Sequence, residues 1–332
     1  MLPYYSFNQY LKERFGESVW RVTIEGGFDC PNRVGERGFG GCTFCTADGS
    51  SSRAQSVLDS ISDQLKSGIT KQKKRHRAKK FIAYLQSFTN TYAPLSVLKR
   101  IYDQAIDHPE VVMLAIGTRP DCLADEVIEL INSYTERLEV WVDLGLQSID
   151  DRILERVNRG HTVAEFFDSI ERLHKIAPGI KICTHLIAGL PGEDHDLEYG
   201  KTFEGAKLLA DLPIHGIKIH NLCILKGTKL AHDHAVGLIN PVQEDAYIDL
   251  LCRIVPILPP DLVIHRLMGE APAPGELIAP LWADEKDLFL IKLREKLRVE
   301  GIFQGRDHIE QEKTLKSDKS PANPKKQASL TT

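Results

Sequence analysis

The sequence lacks a long hydrophobic run, an export signal and a strong excess of charge. Its apolar stretches, such as Val111–Gly117, fall far short of the roughly 20 residues that cross a bilayer. Its first residues show no charged segment followed by an apolar one, so we expect no signal peptide, no membrane partner and a cytoplasmic location. The 42 basic and 46 acidic residues leave a net charge of −4. Overall charge therefore demands neither a nucleic acid nor a membrane as partner.

The chain also has few cysteines, seven in 332 residues. A reducing cytoplasm disfavours structural disulfides, so cysteines that cluster there indicate a metal or a redox centre. With 42% hydrophobic and 27% charged residues, most of the chain has the composition of an ordinary globular protein. Residues 306–332 differ, being polar and rich in Lys, Ser and Pro, and we predict that they form a disordered tail.

Short runs of Val, Ile and Leu alternate with amphipathic segments over the first two thirds of the chain. They predict six strands, at Val19–Glu25, Phe81–Gln86, Val111–Gly117, Val140–Leu146, Lys181–Ile187 and Gly216–Cys223. These runs are apolar throughout, which is typical of parallel strands that are buried on both faces. The pattern predicts an α/β fold, with a complete or partial βα barrel preferred and an open doubly wound sheet as the alternative.

The alternation loosens after about Leu230. We predict a helix near Val242–Ile254, a seventh strand at Leu262–Arg266 and a helix near Glu285–Val299. Prolines and an APAPG sequence interrupt these elements. The sequence thus predicts a core domain with an N-terminal extension over residues 1–235. Residues 236–305 are predicted to form a C-terminal α/β appendage rather than more of the barrel.

Three of the cysteines, Cys30, Cys42 and Cys45, lie in one glycine-rich loop directly after the first predicted strand. Their spacing is C-x11-C-x2-C, and the glycines make the loop pliable enough to close over a bulky ligand. Structural zinc would need a fourth ligand, and no second CxxC pair lies nearby. A redox dithiol would leave Cys30 unexplained. Spacing alone favours an iron–sulfur cluster with one open iron, and leaves zinc and a dithiol as alternatives.

Four further loops carry polar or glycine-rich sequences at the ends of predicted strands. They are SFTNTYAP (Ser87–Pro94), GTRPDCL (Gly117–Leu123), the segment Asp143–Thr162 and THLIAGLPGED (Thr184–Asp194). In barrel enzymes the reaction takes place where the strands end, in the loops that lead to the following helices. We therefore expect these loops to meet the cysteine loop at a single site.

Together these motifs resemble the radical S-adenosylmethionine (radical SAM) superfamily, and within it the Elp3-like branch and the YhcC/YtqA-type family. The resemblance covers about residues 5–305 and rests on GFDCPN with GGCTFC, FTNTYAP, IGTRPDCL, LGLQS with NRGHT, THLIAGLPGE and VIHRLMGEAP. The family's more usual C-x3-C-x2-C spacing is stretched here to C-x11-C-x2-C. The resemblance implies a partial (βα)6 TIM-like barrel, with residues 236–305 covering its mouth.

The resemblance also implies the cofactors. A [4Fe–4S] cluster would be held by Cys30, Cys42 and Cys45, and its fourth iron would bind S-adenosylmethionine (SAM). One electron from the cluster would cleave SAM to a 5′-deoxyadenosyl radical, which abstracts hydrogen from the substrate. The implied SAM contacts are Phe44 near the adenine, Thr89 and Asn90 near the amino group, Gln147, Ser148 and Arg159 near the ribose or carboxylate, and Ile187, Gly189 and Leu190 along the adenine.

Structural roles compete with several of these assignments. Phe44 also suits a core position, Gln147 could cap the following helix, and Arg159 could pair with acidic residues on that helix. A single histidine such as His185 is more often structural than catalytic. Cys122 suits a packed position better than the role of a hydrogen-atom donor.

Two segments bear on the substrate. The run Lys71–Lys80 holds seven Lys or Arg residues and no acid, which would suit RNA phosphates, but we expect it in a loop far from the cysteines, where a solvated surface is the simpler interpretation. In the appendage, the resemblance places His265, Arg266 and Glu270 near the substrate. It implies modification of a tRNA nucleoside, the wobble uridine, with flavodoxin or ferredoxin as one-electron donor. A small-metabolite or protein substrate, or a non-catalytic iron–sulfur or zinc sensor, is the alternative.

Overall fold

Seven parallel strands form one sheet at the centre of the molecule. The computed structural model describes residues 2–49, 58–193 and 200–309. In chain order the strands are β1 (Val19–Ile24), β2 (Lys80–Leu85), β3 (Val111–Thr118), β4 (Glu139–Gln147), β5 (Lys181–Ala188), β6 (Gly216–Asn221), β7 (Ile224–Leu225), β8 (Val263–Arg266) and β9 (Leu277–Ala279). Strands β1 to β6 and then β8 pair side by side in that order, while β7 and β9 make a separate antiparallel pair. Because β1 and β8 do not pair with each other, the sheet is an open half-barrel.

Helices connect successive strands and cover the outer face of the sheet. They are α1 (Phe7–Phe15), α2 (Pro31–Val34), α3 (Ile61–His76), α4 (Leu95–Ala105), α5 (Asp125–Ser133), α6 (Asp151–Arg156), α7 (Val163–Ile176), α8 (Gly200–Ala210), α9 (Lys229–Ala235), α10 (Glu244–Ile254) and α11 (Lys286–Val299). Helix α7 begins with a capping box, in which Thr162 and Glu165 satisfy each other's backbone N–H groups. The capping box therefore fixes where α7 starts.

Successive side chains of a strand point to opposite faces of the sheet. Outward residues such as Ile24, Leu85 and Ile116 are fully buried in the main core against the helices. At the end where the strands begin, the inward residues are apolar as well, and Trp141 packs there with Tyr10 of α1. Helix α1 therefore closes the lower end of the half-barrel, and the space for a ligand lies towards the ends of the strands.

The six predicted strands are confirmed, each with ends within two residues of the prediction. The sequential strand order without a reversal is that of a partial barrel and not of a doubly wound sheet. The seventh strand differs from the prediction, because Val263–Arg266 pairs in parallel with β6 and extends the main sheet instead of belonging to a separate unit. Its pairing depends on backbone geometry that the short sequence VIHR does not reveal.

The basic run also differs from the prediction. Helix α3 continues to His76, so most of the run is helical, and Arg77 ends the helix in the left-handed region with φ of 52°. The prediction of a loop is wrong here. The buried apolar residues Leu65 and Ile69 anchor the helix, and the basic residues after them stabilise it because positive charges interact favourably with the negative end of the helix dipole.

The boundaries at residues 235 and 305 stay predictions. Residues 306–309 form a helical turn, and His308 Nε2 lies 2.8 Å from the carbonyl oxygen of Ile257. The rest of the predicted tail, residues 310–332, lies outside the described residues, as does Asp194 at the end of the fifth loop.

Candidate active site

A cavity of about 470 Å³ lies inside the half-barrel where the strands end. Its volume falls within the roughly 300–1,000 Å³ of small-molecule sites. On one side, which we call the cysteine wall, the first loop contributes Cys30, Arg33, Gly41, Cys42, Phe44, Cys45 and Gly49. A second part of the lining, which we call the strand wall, comes from the inward faces of the strands and consists of Arg21, Tyr84, Asp143, His185, Lys218, His220 and Arg266. The predicted convergence of the first loop with the later ones is found here.

Backbone hydrogen bonds hold the cysteine wall in place. A tight turn, in which the Cys45 N–H donates to the Cys42 carbonyl at 3.0 Å, brings these two residues together. The Thr43 N–H donates to the carbonyl of Val157 at 3.0 Å. Asn158 donates from its side chain to the Gly41 carbonyl at 2.7 Å. The loop is therefore fixed against the segment that follows β4, although the two are more than 100 residues apart.

Two buried arginines stand next to the cysteines. Arg159 donates to the Gly145 carbonyl at 2.9 Å, and its guanidinium lies 3.7 Å from the sulfur of Cys42. Arg119 donates to the carbonyl of Arg159 at 2.6 Å and forms a buried ion pair with Asp121 at 2.8 Å. A guanidinium beside a cysteine favours the thiolate, which is the form that binds metal.

The spread of the three cysteine sulfurs suits a polynuclear centre better than a single ion. Sulfurs bound to one tetrahedral zinc ion lie within about 4 Å of one another. Among the described residues, the group of potential ligands whose atoms all lie within 4.8 Å is Asp143, Cys183 and His185, and it includes none of the three loop cysteines. The donor set of three thiols around an open cavity therefore fits an iron–sulfur cluster.

The implied SAM contacts divide into two sets. Those that line the cavity are Phe44, Thr89, Gln147, Arg159 and Ile187. The cavity lining does not include Asn90, Ser148, Gly189 or Leu190. The first three form hydrogen bonds within or near their own turns, and Leu190 is buried in an apolar cluster. The side chain of Asn90, for example, donates to the Gly117 carbonyl at 2.8 Å.

Two of the competing structural roles are not found in the structure: Gln147 does not cap helix α6, and Arg159 does not pair with the acidic residues of that helix. Asp150, and not Gln147, caps helix α6 by accepting from the Arg152 N–H. Gln147 instead lies at an irregularity of β4 with φ of 75°, a conformation that is costly for any residue with a side chain. Arg159 bonds to the Gly145 carbonyl and not to the acidic residues of α6. Phe44 is half-buried, lining the cavity while it packs against a small apolar cluster.

The centre of the strand wall is a buried ion pair. Lys218 donates to the Asp143 carboxylate and, at 3.2 Å, to the hydroxyl of Tyr84. Burial alone would raise the pKa of Asp143, but the Lys218 charge outweighs it and holds that pKa below its ordinary value. Burial likewise acts to lower the pKa of Lys218, and Asp143 reverses this and raises it. Both groups are therefore charged at neutral pH.

Histidines complete the strand wall around this pair. His185, Lys218 and Arg266 are direct neighbours across β5, β6 and β8. The rings of His185 and His220 lie 5.7 Å apart. Burial, reinforced by the nearby positive charges of Lys218 and Arg266, holds the pKa of both histidines well below 6.5. Both imidazoles are thus neutral at pH 7.

Sequence reasoning missed most of the strand wall. It singled out His185 and Arg266 but not Asp143 or Lys218. The available signal was a charged residue inside an otherwise apolar strand, as in VWVDLGL and GIKIHN, because a charge at a buried position is rare unless it is paired.

Comparisons with known proteins agree with this geometry. The model described as the Radical SAM superfamily matches residues 32–198, and the Radical_SAM C-terminal domain matches residues 214–298. The chain belongs to the radical SAM superfamily. Members of this superfamily use a [4Fe–4S] cluster and SAM, and the protein is a radical SAM enzyme. Among its described residues, no helix combines the length and the apolar character needed to cross a bilayer.

The relatives lie in the branch that the motifs indicate. The chain is 38% identical over 314 residues to the uncharacterized protein YtqA of Bacillus subtilis, covering 94% of this radical SAM chain and 95% of the relative. It is 30% identical over 166 residues to a tRNA uridine(34) acetyltransferase of Methanocaldococcus jannaschii, which is 49% of this chain and 29% of that one. The solved structure of Elp3 from Methanocaldococcus infernus has the same fold, with a TM-score of 0.60 and 17% identity over 86% of this chain and 63% of that one.

Proposed function

We propose that this radical SAM enzyme modifies a nucleoside of tRNA, with the wobble uridine as its target. The observation that supports the proposal most is that three cysteines and a buried, charged strand wall share one cavity. The partial similarity to a protein named tRNA uridine(34) acetyltransferase supports the substrate class. The proposed setting is the reducing cytoplasm, where flavodoxin or ferredoxin serves as the one-electron donor.

In this proposal Cys30, Cys42 and Cys45 hold the cluster. When bound, the cluster and SAM supply a one-electron cleavage that yields a 5′-deoxyadenosyl radical, which abstracts hydrogen from the substrate. The guanidinium of Arg159, 3.7 Å from the sulfur of Cys42, would offset the negative charge of the cluster's thiolate ligands. Phe44 and Ile187, which line the cavity and pack against the same small apolar cluster, offer apolar surface to the adenine. The apolar lower end of the half-barrel, closed by α1, keeps water out from below.

The chemical part is tested by measuring 5′-deoxyadenosine by mass spectrometry. The protein is reconstituted anaerobically with iron and sulfide, reduced with dithionite and given SAM. We expect product from the wild type and none from a variant with Cys30, Cys42 and Cys45 all changed to Ala. Wild-type protein that binds no iron would overturn the ligand assignment, and protein that binds iron and sulfide without forming product would favour a sensor.

The substrate part is tested with tRNA from cells in which the gene for this protein is deleted. After incubation with the reconstituted enzyme, SAM and dithionite, the tRNA is digested to nucleosides and analysed by mass spectrometry. We expect a mass change in a uridine at the wobble position, and none with the triple Ala variant. Formation of 5′-deoxyadenosine without any change in the tRNA would contradict the proposed substrate and indicate a small metabolite or a protein instead.

A further inference from the structure

The cavity carries a surplus of positive charge. Six of its lining residues are Lys or Arg and two are Asp or Glu; the cations are Arg21, Arg33, Arg119, Arg159, Lys218 and Arg266, and the anions are Asp143 and Glu270. Arg119 is paired with Asp121, and Arg33 and Arg159 lie among the cysteines, whose thiolates would carry negative charge as cluster ligands. SAM does not balance the others, because its carboxylate is offset by its own sulfonium charge. The strand wall therefore keeps a positive charge that none of the cofactors matches.

The surplus can be assigned to particular side chains. Lys218 is paired with Asp143, and Arg266 lies 3.1 Å from Glu270, which is shared with Lys286 at 2.7 Å. Arg21 has no ion pair and no side-chain hydrogen bond within the described part of the chain, and its guanidinium carbon lies 5.8 Å from the centre of the Tyr84 ring. Arg21, with Arg266 beside it, is thus the cation that lacks an anion.

Two neutral imidazoles stand on the same wall with unused hydrogen-bonding capacity. His185 and His220 line the cavity, and the Nε2 atom of each is buried without a hydrogen-bond partner in the ranges that the structure describes. A buried polar atom normally has a partner, so an orphaned one at a cavity wall indicates where a ligand belongs. A neutral imidazole offers one N–H donor and one acceptor, so it can bind an anion without adding charge.

We infer that Arg21, His185, His220 and Arg266 form a subsite for an anionic oxygen-acid group of the substrate, a carboxylate or a phosphate. Planar guanidinium groups bind such anions through paired N–H donors. The subsite lies on the strand wall and shares the cavity with the three cysteines. The interpretation of the ligand as a substrate rests on the proposed function, whereas the anion site itself does not.

A metal ion is the rival occupant, since Asp143, Cys183 and His185 place ligand atoms within 4.8 Å of one another. The ammonium of Lys218 already neutralises the Asp143 carboxylate. Burial raises the pKa of the Cys183 thiol well above its ordinary value, which disfavours the thiolate that a metal would need. The anion is therefore the better occupant.

The test measures anion binding to the cluster-containing protein without SAM or reductant. Because no radical reaction is involved, an absence of anion binding cannot result from inactive radical chemistry. The probes are acetate and inorganic phosphate, each compared with chloride at equal ionic strength, and the readout is the rise in melting temperature with probe concentration. We expect one of the two probes to give a saturable rise that chloride does not. Arg21→Met should weaken its binding about tenfold, as expected for the loss of one charge-assisted contact.

Arg100→Met, a change at an exposed arginine on α4, is the matched control and should leave probe binding unchanged. A His185→Gln and His220→Gln double variant provides a second test that keeps the total charge. Saturation by acetate alone would assign a carboxylate, and saturation by phosphate alone would assign a phosphate. If neither probe saturates, or if Arg21→Met and the double variant bind like the Arg100→Met control, the inference is wrong.

Discussion

The two walls of the cavity are built in opposite ways. The cysteine wall comes from one continuous loop and is held by backbone hydrogen bonds, whereas the strand wall takes its seven residues from six different strands. The first wall contains three cysteines that form no disulfide, and the second contains a buried ion pair that helps to hold the sheet together. The cysteine wall therefore depends on local chain connectivity, whereas the strand wall depends on the register of the strands.

The largest effect is expected on the cysteine wall. Cys45→Ala removes one of three thiolates and leaves too few to retain a cluster, so the reconstituted protein should lose nearly all bound iron and form no 5′-deoxyadenosine. Iron and sulfide analysis makes the measurement. Cys252→Ala, at a buried cysteine of α10 outside the cavity, is the control and should bind iron normally. Normal iron content in the Cys45→Ala protein would remove Cys45 from the ligand set.

Mutation of the buried ion pair in the strand wall should lower the stability of the protein. Lys218→Met leaves the Asp143 carboxylate buried without its partner, which typically costs about 3–5 kcal/mol in the free energy of unfolding. Urea denaturation of the cluster-free protein measures this loss. Adding Asp143→Leu to Lys218→Met should recover part of the stability, because the second change removes the unpaired charge. A single variant as stable as the wild type would show that the pair contributes little to the fold.

The difference between the walls also explains what the sequence could predict. Cys30, Cys42 and Cys45 lie within sixteen positions, and their loop follows a strand that its own composition reveals, so the cysteine wall was predictable from local spacing. Asp143 and Lys218 are 75 residues apart and meet through the pairing of β4, β5 and β6. A shift of one residue in β4 or in β6 would turn one of them to the opposite face. No local pattern encodes that register.

The same reason accounts for the misplaced seventh strand and for those implied SAM contacts that do not line the cavity. Whether Val263–Arg266 adds to the main sheet depends on the free edge of β6, which the sequence does not display. Asn90 and Ser148 carry suitable polar groups, but the turns in which they lie direct them to backbone partners. Residue type was predictable at these positions, and side-chain direction was not.

A smaller effect is expected when the pH is changed. Because the pKa values of His185 and His220 are held well below 6.5 in the folded protein, the unfolded chain takes up protons first as the pH falls. The contribution of the two neutral histidines to the free energy of unfolding is therefore complete above about pH 6.5. Below that pH the free energy of unfolding falls by up to about 1.4 kcal/mol per pH unit for each histidine.

Urea unfolding between pH 7 and pH 5 provides the test of this dependence. The His185→Gln and His220→Gln double variant should show a shallower loss of stability towards acid pH than the wild type. His174→Gln, at an exposed position of α7, should keep the wild-type slope. Equal slopes for the wild type and the double variant would mean that these imidazoles are not shielded from protonation in the fold.

The smallest effect concerns Gln147, which lines the cavity at the end of β4. Its φ of 75° costs about 1 kcal/mol for a residue other than glycine, so Gln147→Gly should leave the protein as stable as the wild type or slightly more so, while removing a side chain from the cavity. SAM affinity, measured by equilibrium dialysis, should then fall although stability does not. Arg77→Gly relieves a similar strain at the exposed end of α3 and should change stability alone. A residue with a purely structural role affects SAM binding only when its mutation lowers stability. A Gln147→Gly protein with lower SAM affinity and undiminished stability would therefore show that the Gln147 side chain serves the ligand. Unchanged SAM affinity would show that Gln147 serves only the backbone turn.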